Sequence, residues 1–132
     1  MAGKTDKEET GLWGEDCARR FLAHKGYRIL GSRVRLDSRD EIDILARDGE
    51  QLVFVEVKTR ASERFGRPFR AVDRDKRHAL CRAAVRYLKS KHFPEVEFRF
   101  DVVEVIGSVG DRSPEVRHIE CAFQLDRRYI LP

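Results

Sequence analysis

Long apolar segments are missing from this sequence of 132 residues. No stretch of about 18 apolar residues occurs, so no membrane-spanning helix is predicted. Residues 1–10 are polar and hold no apolar core of the kind found in secretory signals, so we expect a flexible tail there. The composition therefore disfavours membrane proteins.

Residues that bind soft metals or form disulfides are also scarce. The three cysteines, Cys17, Cys81 and Cys121, are widely spaced, and no two of them form a CxxC pair. Buried thiols in a reducing cytoplasm explain them better than disulfides or a zinc site. None of the four histidines stands at a ligand spacing such as HExxH. We therefore expect a cytoplasmic protein without soft-metal chemistry.

Charged residues, by contrast, are abundant. They make up 38% of the chain against 41% hydrophobic residues, which is typical of a globular protein, and we assign residues 11–132 to a single domain. A formal net charge of +4 is modest, but many of the basic residues stand close together. This concentration favours an anionic partner, and the candidate nucleic-acid contacts are Arg60, Arg64, Arg67, Arg70, Arg74, Lys76, Arg82 and Arg86.

Hydrophobic periodicity and turn residues predict seven elements in the order α-β-β-β-α-β-β. A first helix is expected over residues 12–25, with Thr10 as its N-cap, and a second helix over 73–91. An Asp-Gly pair at Asp48-Gly49 predicts a tight hairpin, so the first three strands should form a meander. The predicted strands are 27–36, 41–46, 51–60, 97–106 and 116–123.

Two charged residues interrupt the apolar third strand. Glu56 and Lys58 should share one face of it, with Cα atoms roughly 6.5 Å apart, because successive strand residues point to opposite faces. Asp43 and Glu56 are nearly symmetric about Gly49, so the hairpin should bring the two carboxylates opposite each other. Carboxylates that face each other repel, and such a pair suits Mg²⁺ or Mn²⁺. Lys58 could then steady an attacking water or the charge that develops at phosphorus.

Simpler structural interpretations remain open for each of these residues. Lys58 could neutralise Asp43 and Glu56 in an ordinary charge network. Glu15, at the border of the buried face of the first helix, could serve only the helix dipole. The basic face of the second helix, which includes Arg82 and Arg86, is also typical of a solvated surface.

Several sequence blocks resemble known proteins. Asp43, followed after twelve residues by Glu56-Val57-Lys58, resembles the Asp…Glu-x-Lys signature of restriction-endonuclease-like nucleases. Longer blocks, spread in order over residues 11–123, are similar to the YraN family of small bacterial proteins. These blocks are GEDCA at 14–18, EIDILA at 41–46, VFVEVKTR at 53–60, FGRP at 65–68 and FDVV at 100–103. One departure is Arg39-Asp40 before Glu41, where a glycine is more usual, and Asp40 adds negative charge near the proposed site.

The resemblance implies a fold and a set of site residues. The implied fold is α/β, with a restriction-endonuclease-like core whose mixed central sheet is flanked by two helices, related to Holliday-junction resolvases. The implied catalytic residues are Glu15, Asp43, Glu56 and Lys58, and the first three would bind Mg²⁺ or Mn²⁺. Nucleic acid is the implied partner, with DNA favoured over RNA, and a homodimer is an expectation because junction-cutting relatives act in pairs.

The favoured function is therefore a Mg²⁺-dependent endonuclease or DNA-processing phosphodiesterase that acts on structured or damaged DNA. One alternative is a nucleic-acid-binding module that keeps the fold without turnover. Another is an interaction protein whose basic second helix docks an acidic partner. Salt-dependent DNA binding separates the first two from the third.

Overall fold

The computed structural model describes residues 6–64, 66, 72–92 and 94–125. Within these ranges the element order is α-β-β-β-α-β-β, which confirms the predicted order. The predicted strands agree with the observed ones to within two residues at each end. The elements are α1 (Asp6–His24), β1 (Arg28–Arg35), β2 (Glu41–Asp48), β3 (Gln51–Arg60), α2 (Arg74–Ser90), β4 (Phe98–Ile106) and β5 (Glu115–Phe123).

The five strands form one mixed sheet in the order β1-β2-β3-β4-β5. The first three strands are an antiparallel meander, as predicted from the Asp-Gly turn. β4 pairs with β3 in parallel, and β5 closes the sheet in antiparallel orientation. A parallel pair requires a crossover connection, and α2 supplies it between β3 and β4.

Each face of the sheet packs against one helix. On one face, Ala18 and Leu22 of α1 pack with Val55 and other small apolar residues of the central strands. On the other face, Leu80 and Leu88 of α2 belong to a second cluster that contains Phe54 and Phe100. The central strands are therefore buried on both faces, and polar side chains on them need a specific explanation.

The first helix begins earlier than the sequence pattern predicts. It starts at Asp6 rather than at residue 12, so Thr10 lies inside the helix and does not cap it. Acidic residues in its first turn (Asp6, Glu8 and Glu9) favour a helix start through the helix dipole, a signal that hydrophobic periodicity does not contain. The expected tail is therefore helical from residue 6, and residues 1–5 lie outside the described ranges.

The cysteines depart in part from the prediction of buried thiols. All three are free, but only Cys81 is buried, whereas Cys17 is half-buried and Cys121 is exposed. Cys121 lies on the edge strand β5 near a register shift and has a φ of 49°, which takes it out of the regular alternation. Among the described residues, no helix combines the length and the apolar character needed to cross a membrane.

A close approach between α1 and β3 determines where the first helix lies. A Cβ atom on Gly14 would stand 1.8 Å from Oγ1 of Thr59, so only glycine fits at this crossing. Thr59 directly follows Lys58, and Gly14 directly precedes Glu15. The crossing therefore brings two of the candidate site residues to the same region of the fold.

This crossing yields a stability prediction with a control in the same helix. Gly14→Ala should destabilise the protein by about 1–3 kcal/mol, because the methyl group overpacks a rigid contact. Gly11→Ala should instead stabilise it by roughly 0.5–1 kcal/mol, because alanine favours the helix and nothing lies within 4 Å of the new Cβ. Urea unfolding of the two variants measures both effects. Equal changes in stability would contradict the close crossing.

Candidate functional site

Asp43 lies at the point where β2 and β3 stop pairing. Their ladder runs from Asp48 opposite Gln51 to Ile44 opposite Val55. The next position in this register is Asp43 opposite Glu56, as the hairpin symmetry predicts. There the Val57 N–H donates to Asp43 Oδ2 at 2.9 Å. A side-chain carboxylate thus replaces the neighbouring strand as acceptor, and this bond fixes Asp43 beside Glu56.

The neighbouring strand is distorted at the same level. Arg33, which lies between the Ser32–Ile44 and Val34–Ile42 pairs, has a φ of 49°. In β2, Ile42 packs with the α2 cluster and Ile44 with the α1 cluster, although residues two apart normally share a face. The side-chain alternation therefore changes at Asp43. Left-handed conformations of non-glycine residues are concentrated at functional sites.

Glu56 and Lys58 lie together, as predicted for residues on one face of β3. Lys58 Nζ is 3.3 Å from Glu56 Oε1, and the two side chains are only 15% and 13% exposed. Glu56 and Asp43 line a cleft of about 210 Å³ with Lys76 of α2. Lys58 lines a second cleft of about 350 Å³ with Glu15 of α1. The site thus has an opening on the side of each helix.

Several carboxylates of the site lie close enough together to raise one another's pKa. Burial raises the pKa of Asp43 well above its ordinary value, and the charges of Glu56 and Glu15 raise it further. The Val57 N–H and Lys58 lower this pKa without cancelling the increase. An ionised Asp43 is therefore costly in the fold until a further cation stabilises it.

Glu15 belongs to the same electrostatic group but has a different partner. Its side chain is 13% exposed and forms a two-bond ion pair with Arg33, with Nε–Oε1 at 2.8 Å and Nη2–Oε2 at 3.0 Å. Burial raises the pKa of Glu15, Arg33 lowers it, and the charges of Glu41 and Glu56 raise it. Because α1 starts at Asp6, Glu15 is not in its first turn, and a helix-dipole role does not explain it.

Carboxylate oxygens are the ligands that Mg²⁺ and Mn²⁺ prefer, and the adjacent Asp43 and Glu56 fit that chemistry. The costly ionised form of Asp43 is also what a bound cation would stabilise. The three predicted ligands do not converge on one point, however, since Glu15 is held by Arg33. Within the described ranges, no group of three or more His, Cys, Asp or Glu side chains is arranged to hold a metal ion.

The negative charge of Asp40 is balanced inside the fold. Asp40 is buried and receives two hydrogen bonds from Arg82, at 2.9 and 3.1 Å. Arg86, one turn further along α2, pairs with Asp37 of the β1–β2 turn at 2.9 Å. Two of the predicted nucleic-acid contacts are thus engaged in holding this turn against α2. Sequence reasoning missed these pairs because their partners are far apart in the chain.

Among the other predicted basic residues, Lys76 lines the cleft that contains Asp43, and Arg60 lines the cleft that contains Lys58. Lys76 is exposed in the first turn of α2, whose N-cap Asp73 accepts a hydrogen bond from the Lys76 N–H at 3.0 Å. Arg74 is exposed at the start of the same helix, and Arg60 and Arg64 are exposed at and beyond the end of β3. Arg67 and Arg70 lie outside the described residues.

A buried polar network on β4 and β5 was not predicted from the sequence. Asp101 is fully buried and accepts hydrogen bonds from Arg99 at 3.0 Å and from the Cys121 N–H at 3.1 Å, while His118 Nε2 lies at 2.7 Å. Burial would raise the pKa of Asp101, but His118, Arg99 and the Cys121 N–H lower it overall. This network joins the last two strands, and the only sequence signal for it was the polar residue inside the FDVV block.

The chain is similar to a set of bacterial proteins. The model of the uncharacterised protein family UPF0102 matches residues 14–105, a segment that includes all four candidate catalytic residues. A UPF0102 protein of Chlorobaculum tepidum is 47% identical over 119 residues, which cover 87% of this chain and 92% of that protein. A UPF0102 protein of Syntrophomonas wolfei is 44% identical over 117 residues, with 87% and 97% covered.

The raised pKa of Asp43 makes a prediction about stability in metal-free buffer. Because the folded protein holds this proton more tightly than the unfolded chain, stability should fall as pH rises from about 3.8 through the folded pKa. Asp43→Asn stays neutral and keeps an oxygen for the Val57 N–H, so it should show a smaller fall and a higher melting temperature at neutral pH. Thermal unfolding of wild type and Asp43→Asn in EDTA, across a pH series, measures both differences.

Asp37→Asn is the matched control for that series. The N–H groups of Asp40 and Arg39 lower the pKa of Asp37, so its ionised form stabilises the fold and this substitution should not raise the melting temperature at neutral pH. If wild type were as stable as Asp43→Asn at neutral pH in EDTA, the inferred cost of ionising Asp43 in the fold would be wrong.

Proposed function

The chain belongs to the uncharacterised protein family UPF0102, the family of the YraN proteins that its sequence blocks resemble, and we propose that it is a Mg²⁺- or Mn²⁺-dependent endonuclease or DNA-processing phosphodiesterase. The proposed substrate is structured or damaged DNA. One observation carries the proposal: Asp43 and Glu56 meet where β2 and β3 separate, with Lys58 beside them and a cleft in front.

In this proposal Asp43 and Glu56 would hold the metal ion, and Glu15 would join them as a ligand only when its ion pair with Arg33 opens. A metal ion held there would supply Lewis-acid chemistry for phosphodiester cleavage. The costly ionised state of Asp43 supports this assignment, because the hydrogen bond from the Val57 N–H does not offset the cost of burying that carboxylate beside Glu56.

Lys58 has a separate role. Its ammonium group, 3.3 Å from Glu56, lies at the edge of the proposed metal site. A positive group held there stabilises the negative charge that develops at phosphorus, or orients the water that attacks it. The half-buried position favours this role, because charge stabilisation is stronger where water is partly excluded.

The DNA backbone would contact the exposed basic residues around the clefts. Lys76 lines the cleft that holds Asp43, and Arg60 lines the one that holds Lys58. Arg74, at the start of α2, and Arg64, beyond the end of β3, are also exposed, and we assign all four to phosphate contacts, which position DNA without reading its sequence. The preference for DNA over RNA and the homodimer stay proposals that rest on the family resemblance.

A nucleic-acid-binding module without turnover is the second candidate. It is favoured by the ion pairs of Glu56 with Lys58 and of Glu15 with Arg33, which balance both glutamates without a metal ion. The two candidates differ in a direct assay. An enzyme cleaves branched, nicked or single-stranded DNA with Mg²⁺ or Mn²⁺, whereas a binding module retains these DNAs without cutting them.

Lys58→Ala separates catalysis from structure. If Lys58 acts on the transition state, the variant should fold, bind Mn²⁺ at least as well as wild type, and lose cleavage by about 10²-fold or more. Melting temperature, Mn²⁺ affinity and cleavage rate are measured on the same preparation. Lys89→Ala, which removes an exposed lysine at the far end of α2, is the control and should cut at the wild-type rate.

A Lys58→Ala protein that cuts DNA as fast as wild type would reject this mechanism. A variant that is instead strongly destabilised would assign Lys58 to the structural charge network.

Lys76 tests the phosphate contacts independently of cleavage. Lys76→Ala should weaken binding to duplex DNA and reduce the slope of log affinity against log salt by about 0.9, the value for one lost phosphate contact. Fluorescence anisotropy over a salt series in EDTA measures the slope, with Lys89→Ala again as the control. An unchanged slope for Lys76→Ala would remove this end of α2 from the interface.

A further inference from the structure

Arg33 has an unusual backbone conformation. It stands on the edge strand β1, across from Asp43, with a φ of 49°. Asparagine, aspartate and glycine are the residues that usually adopt this left-handed conformation, and arginine adopts it at a cost. The distortion turns its side chain toward α1, where it reaches Glu15. An arginine held at such a position is best explained by what its guanidinium group binds.

The ion pair between Arg33 and Glu15 is asymmetric in its access to solvent. The Arg33 side chain is 44% exposed, whereas that of Glu15 is 13% exposed. Partial burial would lower the pKa of Arg33, but the charges of Glu15, Glu41 and Asp43 raise it overall. Because Arg33 is the more exposed partner, a ligand from solvent reaches its guanidinium group before it reaches the carboxylate of Glu15.

The pair also occupies both oxygens of Glu15. Nε and Nη2 of Arg33 bind Oε1 and Oε2 at 2.8 and 3.0 Å, so this carboxylate is not available to a metal ion while the pair is closed. A guanidinium group binds phosphate in the same two-bond geometry as carboxylate. A DNA phosphate at the surface is therefore a direct competitor for Arg33.

We propose that Arg33 exchanges partners, holding Glu15 in the free protein and a backbone phosphate in the DNA complex. This inference rests on the proposed function, and it adds a mechanism by which DNA prepares the metal site. Release of Glu15 returns a carboxylate to the neighbourhood of Asp43 and Glu56. DNA and metal ion then bind cooperatively, and each increases the affinity for the other by the same factor.

Arg33→Asn removes the guanidinium group with a residue that tolerates the left-handed backbone. Calorimetric titration with MnCl₂ is performed on wild type and variant, with and without a branched DNA whose phosphorothioate backbone keeps its charge and resists cleavage. Wild type should bind Mn²⁺ roughly tenfold more tightly with DNA present. Without DNA, Arg33→Asn should bind Mn²⁺ more tightly than wild type does. DNA should then increase the Mn²⁺ affinity of this variant by a smaller factor than it does for wild type.

Arg28→Asn is the control, because Arg28 is an exposed arginine on the same strand but pairs in register with Arg47, away from Asp43. It should leave both Mn²⁺ affinities at the wild-type values. If Arg33→Asn fails to fold, Arg33→Lys takes its place. Lysine keeps the charge, lacks the two-bond geometry, and should give tighter Mn²⁺ binding than wild type without DNA and a smaller effect of DNA.

The outcomes separate this inference from the proposed function. If wild type binds Mn²⁺ but Arg33→Asn shows the same affinity and the same effect of DNA, the exchange is wrong and the metal site stands. Tighter Mn²⁺ binding by Arg33→Asn with an unchanged effect of DNA would also overturn the exchange. If neither protein binds Mn²⁺, the proposed metal site fails and the exchange fails with it.

Discussion

The hydrogen bond from the Val57 N–H to Asp43 is the interaction on which the site depends. The regular ladder of β2 and β3 ends at the pair of Ile44 with Val55, and this bond fixes Asp43 at the next position, opposite Glu56. The backbone thereby holds together two carboxylates that repel each other. Burial raises the pKa of Asp43 most, and the neighbouring charge of Glu56 raises it further. This juxtaposition is the structural basis for the metal site that we propose.

The rest of the molecule supports this arrangement on both sides. α1 can approach β3 closely because Gly14 leaves room for Thr59, and this approach brings Glu15 near the sheet. On the opposite face, the apolar cluster around Phe54 holds α2 so that Lys76 lines the cleft. Lys58 and Arg33 each bind one glutamate. These cations reduce the cost of ionising the two glutamates, whereas the pKa of Asp43 stays well above its ordinary value.

Local signals in the sequence predicted the strands and the central pair of the site. The Asp-Gly turn sets the register of one hairpin, so the position of Asp43 opposite Glu56 followed from symmetry about Gly49. Ion pairs between distant parts of the chain could not be predicted from local patterns. Arg82 binds Asp40, for example, although 42 positions separate them in the sequence. The left-handed backbone conformation of Arg33 and Cys121 was also not predicted, because neither residue type usually has a positive φ. Helix α1 was predicted too short because its first turn is charged rather than apolar.

The central claim is that Asp43 and Glu56 bind a divalent metal ion. Anomalous X-ray scattering from crystals of the wild-type protein grown with MnCl₂ tests it most directly, with Asp43→Asn crystals as the comparison. We expect an anomalous peak within coordination distance of both carboxylates in wild type, and none at that position in Asp43→Asn. Wild-type crystals with no peak beside Asp43 and Glu56 would contradict the account, and the two residues would then belong to a charge network that Lys58 neutralises.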